Sequence, residues 1–308
     1  IDDGSTDETA ELFARGELGK VEILSHSKNL GRGAAIRTAF EYCKSEFLIF
    51  LDADLSYSPS NIAILLEPLM KGTADVTLAS AHHPQGSMKN VPFQRAMVSK
   101  FGNLFLRSML DQRIHTVTCL VRGFNMKVVD GLDIRNNSKE VHLEVLYKAQ
   151  LLGLRIKEIP TTLEWRDKHR KRSGSFLSNF IPFVMWKSIL RHVLFKLFVK
   201  PGGFVLGPIY LLVGLMLFGF GSLTLKLIEN LYGLKRPLNF ENFTFAVRET
   251  LISGQLTIYF VAFTFFFLLL LLLFSFQFHQ SKRNFEDHFI SSSKIRSQLK
   301  SIERKLGD

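Results

Sequence analysis

The sequence predicts an α/β domain followed by a membrane hairpin, and three observations carry that prediction. Residues 1 to about 163 alternate short apolar runs with amphipathic stretches. The run Phe47 to Leu51, "FLIFL", is apolar at every position, as in a central strand covered on both faces. Two apolar segments, Phe204 to Leu227 and Gln255 to Phe278, are each long enough to cross a bilayer, which takes about 20 residues.

Taken in chain order, Ile1-Asp2-Asp3-Gly4-Ser5 reads as a loop, because Asp and Ser compete for backbone hydrogen bonds and Gly permits positive φ. It is expected to close a strand of which only Ile1 stands here, so the chain reads as truncated at its N-terminus. Strands are expected at Val21–Leu24, Phe47–Leu51, Asp75–Ser80 and Arg155–Pro160. Helices are expected near Gly33–Cys43, Pro59–Lys71, Pro92–Leu110 and Lys139–Leu152. Over residues 176–200, Lys187, Arg191 and Lys196 recur at helical spacing against Phe180, Phe183, Ile189 and Val193. That pattern suits an amphipathic helix lying in the headgroup plane, or a surface helix packed on the domain itself. Pro201 to Gly203 then breaks the chain before the hairpin of residues 201–279, with spans at about 204–227 and 255–278. In the tail, residues 280–308, Ile295, Leu299, Ile302 and Leu306 alternate spacings of four and three. This short heptad pattern is compatible with packing in a homo-oligomer.

The net charge of +11 is placed around the apolar segments rather than on a nucleic-acid-binding face. Arg166, Lys168, Arg170, Lys171 and Arg172 precede the hairpin, and Lys282 and Arg283 follow it. The positive-inside rule then puts both outer ends in the cytoplasm, next to anionic lipid, with Ile228–Gly254 facing outward. Lys235, Arg236 and Arg248 in that connection soften the contrast. Cys43 and Cys119 form neither a disulfide framework nor a Cys/His ligand spacing, which suits a reducing cytosolic domain. No internal repeat is found.

Three segments carry candidate chemistry. Asp52 and Asp54 stand just beyond "FLIFL", where ligands of open parallel sheets sit, and two carboxylates there suit a hard divalent cation or, alternatively, a solvated turn before the next helix. Gly31, Arg32 and Gly33 mark a loop that becomes a helix; they suit close approach to an anion or an ordinary glycine-containing helix entry. "EWRDKHRKRSGSF" places Arg166 and Arg172, with Ser173 and Ser175, between the domain and the hairpin. Such a loop can clamp a phosphate through arginine forks or adhere to anionic lipid. His82 and His83, in a loop bounded by Pro and Gly, read as solvated rather than as ligands.

Together, Asp2-Asp3-Gly4-Ser5, Asn29-x-Gly31-x-Gly33 and Asp52-Ala53-Asp54 resemble, in order and spacing, the family 2 glycosyltransferases of GT-A fold. The likeness is to their polyprenyl-phosphate, dolichol-phosphate mannose synthase-like branch. "TCLVRGFNMKVVDGL" around Arg122 and "VHLEVLYKAQLLGLRIKEIPTTLEWR" extend it over residues 1 to about 175. The resemblance implies a GT-A, Rossmann-like nucleotide-sugar domain in which Asp2 and Asp3 meet nucleobase and ribose and Gly31, Arg32 and Gly33 lie near the nucleotide. It implies that Asp54, assisted by Asp52, holds Mg²⁺ or Mn²⁺ on the donor diphosphate, and that Arg122 joins Arg166 and Arg172 at the acceptor phosphate. The implied reaction is inverting transfer of a hexose, from a donor of the GDP-mannose or UDP-glucose type, to polyprenyl or dolichyl phosphate at the cytoplasmic membrane face. Two departures stand out: Ser56 replaces a frequent Gln after the second Asp, and "LASAHHPQGS" lacks the arginine of a Gly-Ser-Arg pattern. A processive polysaccharide synthase is the rival enzyme, but it carries Gln-x-x-Arg-Trp where this chain has Glu164-Trp165-Arg166. A non-catalytic membrane adaptor is the other rival, and the intact Asp52 and Asp54 argue against it.

The charge pattern makes a topological prediction: Lys200 and Ser281 lie on one side of the membrane and Leu234 on the other. Single cysteines at these positions, labelled in intact cells with an impermeant reagent, should react at 234 alone; cytoplasm-only labelling of 234 would reverse the hairpin.

Overall fold

In the computed structural model, residues 1–9, 11, 15, 20–110, 114–166, 202–234 and 239–307 are described. Four strands, β1 (Phe47–Phe50), β2 (Val76–Ser80), β4 (Arg122–Asn125) and β5 (Ile156–Pro160), form one sheet in the order β1-β4-β2-β5. β4 runs antiparallel to both β1 and β2, and β2 is parallel to β5. β1, β2 and β5 therefore end at the same edge of the sheet, where the loops that carry the candidate chemistry emerge. Two short strands, β3 (Ser87–Lys89) and β6 (Thr162–Glu164), pair in parallel as a separate ribbon.

The core explains why these segments become strands. Every residue of β2 is buried, and its two interior hydroxyls are both satisfied: Thr77 Oγ1 donates to the Leu65 carbonyl at 2.9 Å, and Ser80 Oγ bonds Thr116 Oγ1 at 2.7 Å. Phe124 on β4 meets Phe40 and Phe50 edge-on, at centroid distances of 5.2 and 5.8 Å, a geometry that matches positive ring edges to negative faces. Around the sheet lie α1 (Arg32–Tyr42), α2 (Asn61–Met70), α3 (Phe93–Arg107), α4 (Met126–Val129) and α5 (Val141–Leu151). At the opposite sheet edge Arg155 grips Asp75 with two nitrogens, Nε at 2.9 Å and Nη2 at 2.7 Å, and fixes the entry of β2 beside β5.

Two readings change. Val21–Leu24 is not a strand among the described residues: only Ser25 bridges, to Asp2, with the Asp2 N–H on the Leu24 carbonyl and the His26 N–H on the Asp2 carbonyl, both at 2.9 Å. Val21 stays exposed, so the segment lacks the two-sided cover that holds β1 and β2. The 176–200 helix lies outside the described residues.

The chain divides into two compact units, Ile1–His192 with Glu286–Asp308, and Val193–Phe285. In the second unit, α6 (Gly202–Gly233) is followed by α7 (Phe240–Ser253), and α8 (Gln255–Gly307) begins there. Val205–Gly233 and Gln255–Glu303 are long and apolar enough to cross a membrane. α7, which hydropathy alone did not suggest, starts at Asn239, whose side chain accepts from the Asn242 N–H. Asn230 on α6 bonds Thr250 on α7 at 2.9 Å.

The tail half of α8 belongs to the first unit and docks by its polar face. Tyr147 donates to Glu286 at 2.9 Å, Lys148 lies over the Phe289 ring, Ser293 donates to the Gly131 carbonyl at 2.9 Å, Arg296 pairs with Asp133, and Lys300 reaches Asp130 at 3.1 Å. The heptad stripe of Ile295, Leu299, Ile302 and Leu306 faces away and is exposed.

Removing the ring that joins β1, β4 and α1 should destabilise the domain: Phe124→Ala is expected to cost about 3–5 kcal/mol, read as a lowered Tm of the detergent-solubilised chain. An unchanged Tm would show that Phe124 does not hold this core together.

Candidate active site

Asp3 sits where the N-terminal segment meets the glycine loop. Its Oδ1 accepts from His26 Nδ1 at 2.8 Å and from the Leu30 N–H at 2.9 Å, and its Oδ2 accepts from the Gly31 N–H at 2.8 Å. Partial burial opposes ionisation, but the bonds from His26, Leu30 and Gly31 outweigh it and hold this carboxyl below the usual range. Asp2 Oδ1 closes a turn by accepting from the Ser5 N–H at 3.0 Å. Gly4, at φ 74°, runs so close to Lys28 and Asn29 that a Cβ would lie 2.4 Å from the Lys28 carbonyl carbon. The resulting cleft, about 630 Å³, is lined by Asp2, Ser5, Thr6, His26, Lys28 and Asn29 among others.

Gly31 and Gly33 bring two backbones together. A Cβ on Gly31 would stand 2.3 Å from the Asn137 carbonyl oxygen and one on Gly33 1.7 Å from that of Asn136, so both positions exclude a side chain. Gly33 N–H donates to Asn137, Ala34 and Ala35 N–H to Gly31, and Gly31 N–H to Asp3. The helix start expected to offer these N–H groups to a phosphate is thus satisfied by the chain itself, and the two glycines are explained by packing. Arg32 is the residue of this loop whose charge reaches the next segment.

That segment is the turn after β1. Leu55, at φ 52°, closes it with its N–H on the Asp52 carbonyl at 3.1 Å, and Asp54 Oδ1 accepts from the Ser56 N–H at 2.9 Å. Burial pushes the Asp52 carboxyl up, the nearby Asp54 charge adds to this, and Arg32 opposes it. Two carboxylates on one turn, close enough to repel, form an all-oxygen donor set that fits a hard divalent cation. The chain beyond the turn is stitched to β6: Glu164 N–H donates to the Ser56 carbonyl at 2.8 Å, and Tyr57 bridges Leu163. Asp54 and Arg166 therefore flank one backbone hydrogen bond, each two residues from it.

Arg122 requires a correction. It is 2% exposed, and its guanidinium donates to the carbonyls of Cys119 (2.8 Å), His142 (3.0 Å) and Val117 (2.6 Å), with burial lowering its pKa to about 10. A fork committed to three carbonyls in the interior does not clamp a phosphate. Arg166 is exposed, 4.0 Å from Glu164, whereas Arg172, Ser173 and Ser175 lie outside the described residues.

Sequence reading missed a second cluster. Ligand atoms of His83, His115 and Glu158 lie within 4.8 Å of one another, which could hold a metal. Glu158 is already engaged: burial opposes its ionisation, yet bonds from Ser80, His115 and Thr116 hold its carboxyl down, with His115 Nδ1 at 2.7 Å and the Thr116 N–H at 2.8 Å. His83 Nδ1 accepts from the Gln85 N–H, and His82 Nε2 bonds Ser99, so neither imidazole is merely solvated. A separation of 43 residues hid the His115–Glu158 pair.

Residues 1–132 match the family described as glycosyl transferase family 2. Polyprenol monophosphomannose synthase of Mycolicibacterium smegmatis is 28% identical over 185 residues, 57% of this chain and 69% of the relative. Undecaprenyl-phosphate mannosyltransferase of Micrococcus luteus is 28% identical over 190 residues, 59% and 77% of the two chains. Undecaprenyl-phosphate 4-deoxy-4-formamido-L-arabinose transferase of Salmonella paratyphi B is 28% identical over 166 residues, 52% of this chain and 47% of the relative.

The interior beside Arg122 predicts a pH effect. His142 is buried with both ring nitrogens unpartnered among the described residues; burial, then the charges of Arg122 and Arg32, hold its pKa well below 6.5. A histidine kept neutral when folded but free to protonate when unfolded contributes stability above its ordinary pKa, and loses it as pH falls below that value. His82, pushed down by burial and then Lys100, adds an effect of the same sign. His142→Gln should therefore shrink the loss of Tm between about pH 7.5 and pH 5.5; an unchanged loss would assign the acid sensitivity elsewhere.

Proposed function

We propose, from the premise that residues 1–132 belong to glycosyl transferase family 2 and form a glycosyltransferase domain, that this chain transfers a sugar from a nucleotide-diphosphate donor to a polyprenyl phosphate. The relatives named above are named for sugar transfer to polyprenol or undecaprenyl phosphate, which supports that acceptor class. The single observation that carries the reading is the stitch between Ser56 and Glu164, because it sets the Asp52–Asp54 turn beside the start of the basic segment at Arg166. In this reading the Asp52–Asp54 turn on the donor side and Arg166 on the acceptor side come from segments more than a hundred residues apart, joined by that hydrogen bond.

The chemistry asks little of the protein as a base. A phosphate monoester, with a second pKa of about 6, is largely ionised near neutral pH, so the acceptor arrives as a nucleophile. One of its oxygens bonds to the anomeric carbon as the bond from that carbon to the donor diphosphate breaks, which inverts the centre and releases the nucleoside diphosphate. Asp52 and Asp54 would hold Mg²⁺ or Mn²⁺, which when bound neutralises charge on the departing diphosphate. Arg32, whose charge already reaches Asp52, lies on the donor side. Arg166, with Arg172, Ser173 and Ser175, would receive the acceptor phosphate, where two anions must be aligned despite their repulsion. Asp2, with Lys28 and Asn29 in the cleft beside it, would face the nucleoside, and Asp3 would fix the loops around it. In this reading the reaction occurs at the cytoplasmic membrane face, and the hairpin keeps the domain beside its lipid substrate.

The test is transfer of labelled sugar from a panel of nucleotide sugars to polyprenyl phosphate in membranes containing the chain, followed by two variants. Asp54→Asn should abolish metal-dependent transfer with Tm unchanged, since it changes an exposed side chain. Arg166→Lys should raise KM for the acceptor or lower kcat with donor binding unchanged, because an ammonium cannot reproduce a planar fork. Full activity of Asp54→Asn would remove the metal assignment, and no transfer from any donor would sink the function.

A further inference from the structure

Among the described residues, one group of three metal-ligating side chains joins the loop after β2, at His83, the approach to β4, at His115, and β5, at Glu158. Each is held in place from behind. Glu158 Oε1 accepts from the His115 N–H at 2.9 Å and the Thr116 N–H at 2.8 Å, while Oε2 takes His115 Nδ1 at 2.7 Å and the longer arm, 3.0 Å, of the same backbone N–H. On the other side the His83 N–H donates to Ser80 Oγ at 3.0 Å and the His82 N–H to Thr116 Oγ1 at 3.2 Å. Ser80 and Thr116 bond each other at 2.7 Å, so the backbones that carry the two histidines share one buried pair of hydroxyls. The loop also closes on itself. Gly86 N–H donates to the His83 carbonyl at 2.8 Å, and a Cβ on Gly86 would stand 2.4 Å from the Ser80 carbonyl oxygen. Support of this kind sets ligands in position before an ion arrives.

The donor set selects the ion. Two imidazoles and a carboxylate, with a fourth place open to water, suit a borderline cation such as Zn²⁺, whereas Mg²⁺ prefers oxygens throughout. We propose that His83, His115 and Glu158 form a Zn²⁺ site, different in donor chemistry from the all-oxygen turn of Asp52 and Asp54. On binding, the proton of His115 Nδ1 moves to Nε2, the ring stays neutral, and the ion takes the vacated place between Nδ1 and Glu158 Oε2. With Zn–ligand distances of about 2.0–2.2 Å, that pair opens from 2.7 Å to about 3.3 Å. The backbone bonds on Oε1 remain. His83 Nδ1 accepts from the Gln85 N–H at 3.1 Å, a bond that water can replace because Gln85 is exposed. His82 is not a ligand, since its Nε2 bonds Ser99 at 2.9 Å. The bound ion would clip the loop after β2 to β5, through residues that the Asp52–Asp54 turn does not use.

The experiment uses the full chain in detergent, purified without a polyhistidine tag and stripped with a chelator. Zn²⁺ titrated against a chromophoric competitor should fill about one tight site per chain that a large excess of Mg²⁺ does not empty, and Co²⁺ there should give the visible absorption of a tetrahedral centre. His83→Gln and His115→Gln should each weaken Zn²⁺ at least about tenfold and remove the cobalt absorption. His82→Gln, and Asp52→Asn combined with Asp54→Asn, should leave both unchanged. Zn²⁺ should raise Tm of the unaltered chain but not of His83→Gln, whose Tm without metal should match the unaltered chain because His83 lies outside the core. Absence of saturable Zn²⁺ binding would overturn the proposal. So would Zn²⁺ affinity that is untouched by His83→Gln, or that disappears with the two aspartates.

Discussion

Burying Arg122 without a carboxylate partner is the constraint around which the domain is arranged. Removing a guanidinium from water costs several kcal/mol unless its donors are met, and here three carbonyls meet them. Those carbonyls belong to the approach to β4 and to the first turn of α5, so one side chain fixes both. From α5 the order passes outward through Glu144, which accepts from the Arg135 and Asn136 N–H groups at 3.0 and 2.9 Å and from Lys148 at 2.6 Å. The Asn136–Asn137 backbone then meets Gly31 and Gly33, and Asp3 locks the same loop from the other side. Arg32 and Asp52 thus stand on a scaffold organised from within rather than by a ligand.

Much of this was legible. β1 is an apolar run, β2 and β5 fall inside the segments expected as strands, and the two apolar helices announce themselves by length. β4 was not, because Arg122 and Gly123 open it and neither is a strand former; only the aromatic packing of Phe124 and the partners on both sides make it one. Val21–Leu24 shows the converse, since apolar residues without a covering layer do not make a ladder.

The site divides along the same line. Asp52 and Asp54 could be found because a strand end announces where they stand. Arg122 was misassigned because sequence shows an arginine but not the three carbonyls that claim it. Gly31 and Gly33 suit close approach to an anion when read from sequence, whereas the atoms that crowd them in the fold are the Asn136 and Asn137 backbone, which lies far along the chain. The tail misleads in a related manner: its apolar stripe draws attention, while Ser293, Arg296 and Lys300 make the contacts.

That tail imposes an order on biosynthesis. Its hydrogen bonds to Tyr147, Gly131 and Asp130 close over 139, 162 and 170 residues. The α/β unit can begin to fold as it leaves the ribosome, but it lacks these partners until both apolar helices have been made. During that interval Phe289, which ends 7% exposed, has not yet covered its place, and the last ends to be joined are also the most distant in sequence. Completion of the domain therefore awaits synthesis of the second half of α8, so a nascent protein stalled within the second apolar helix would carry the candidate active-site residues in an unfinished frame.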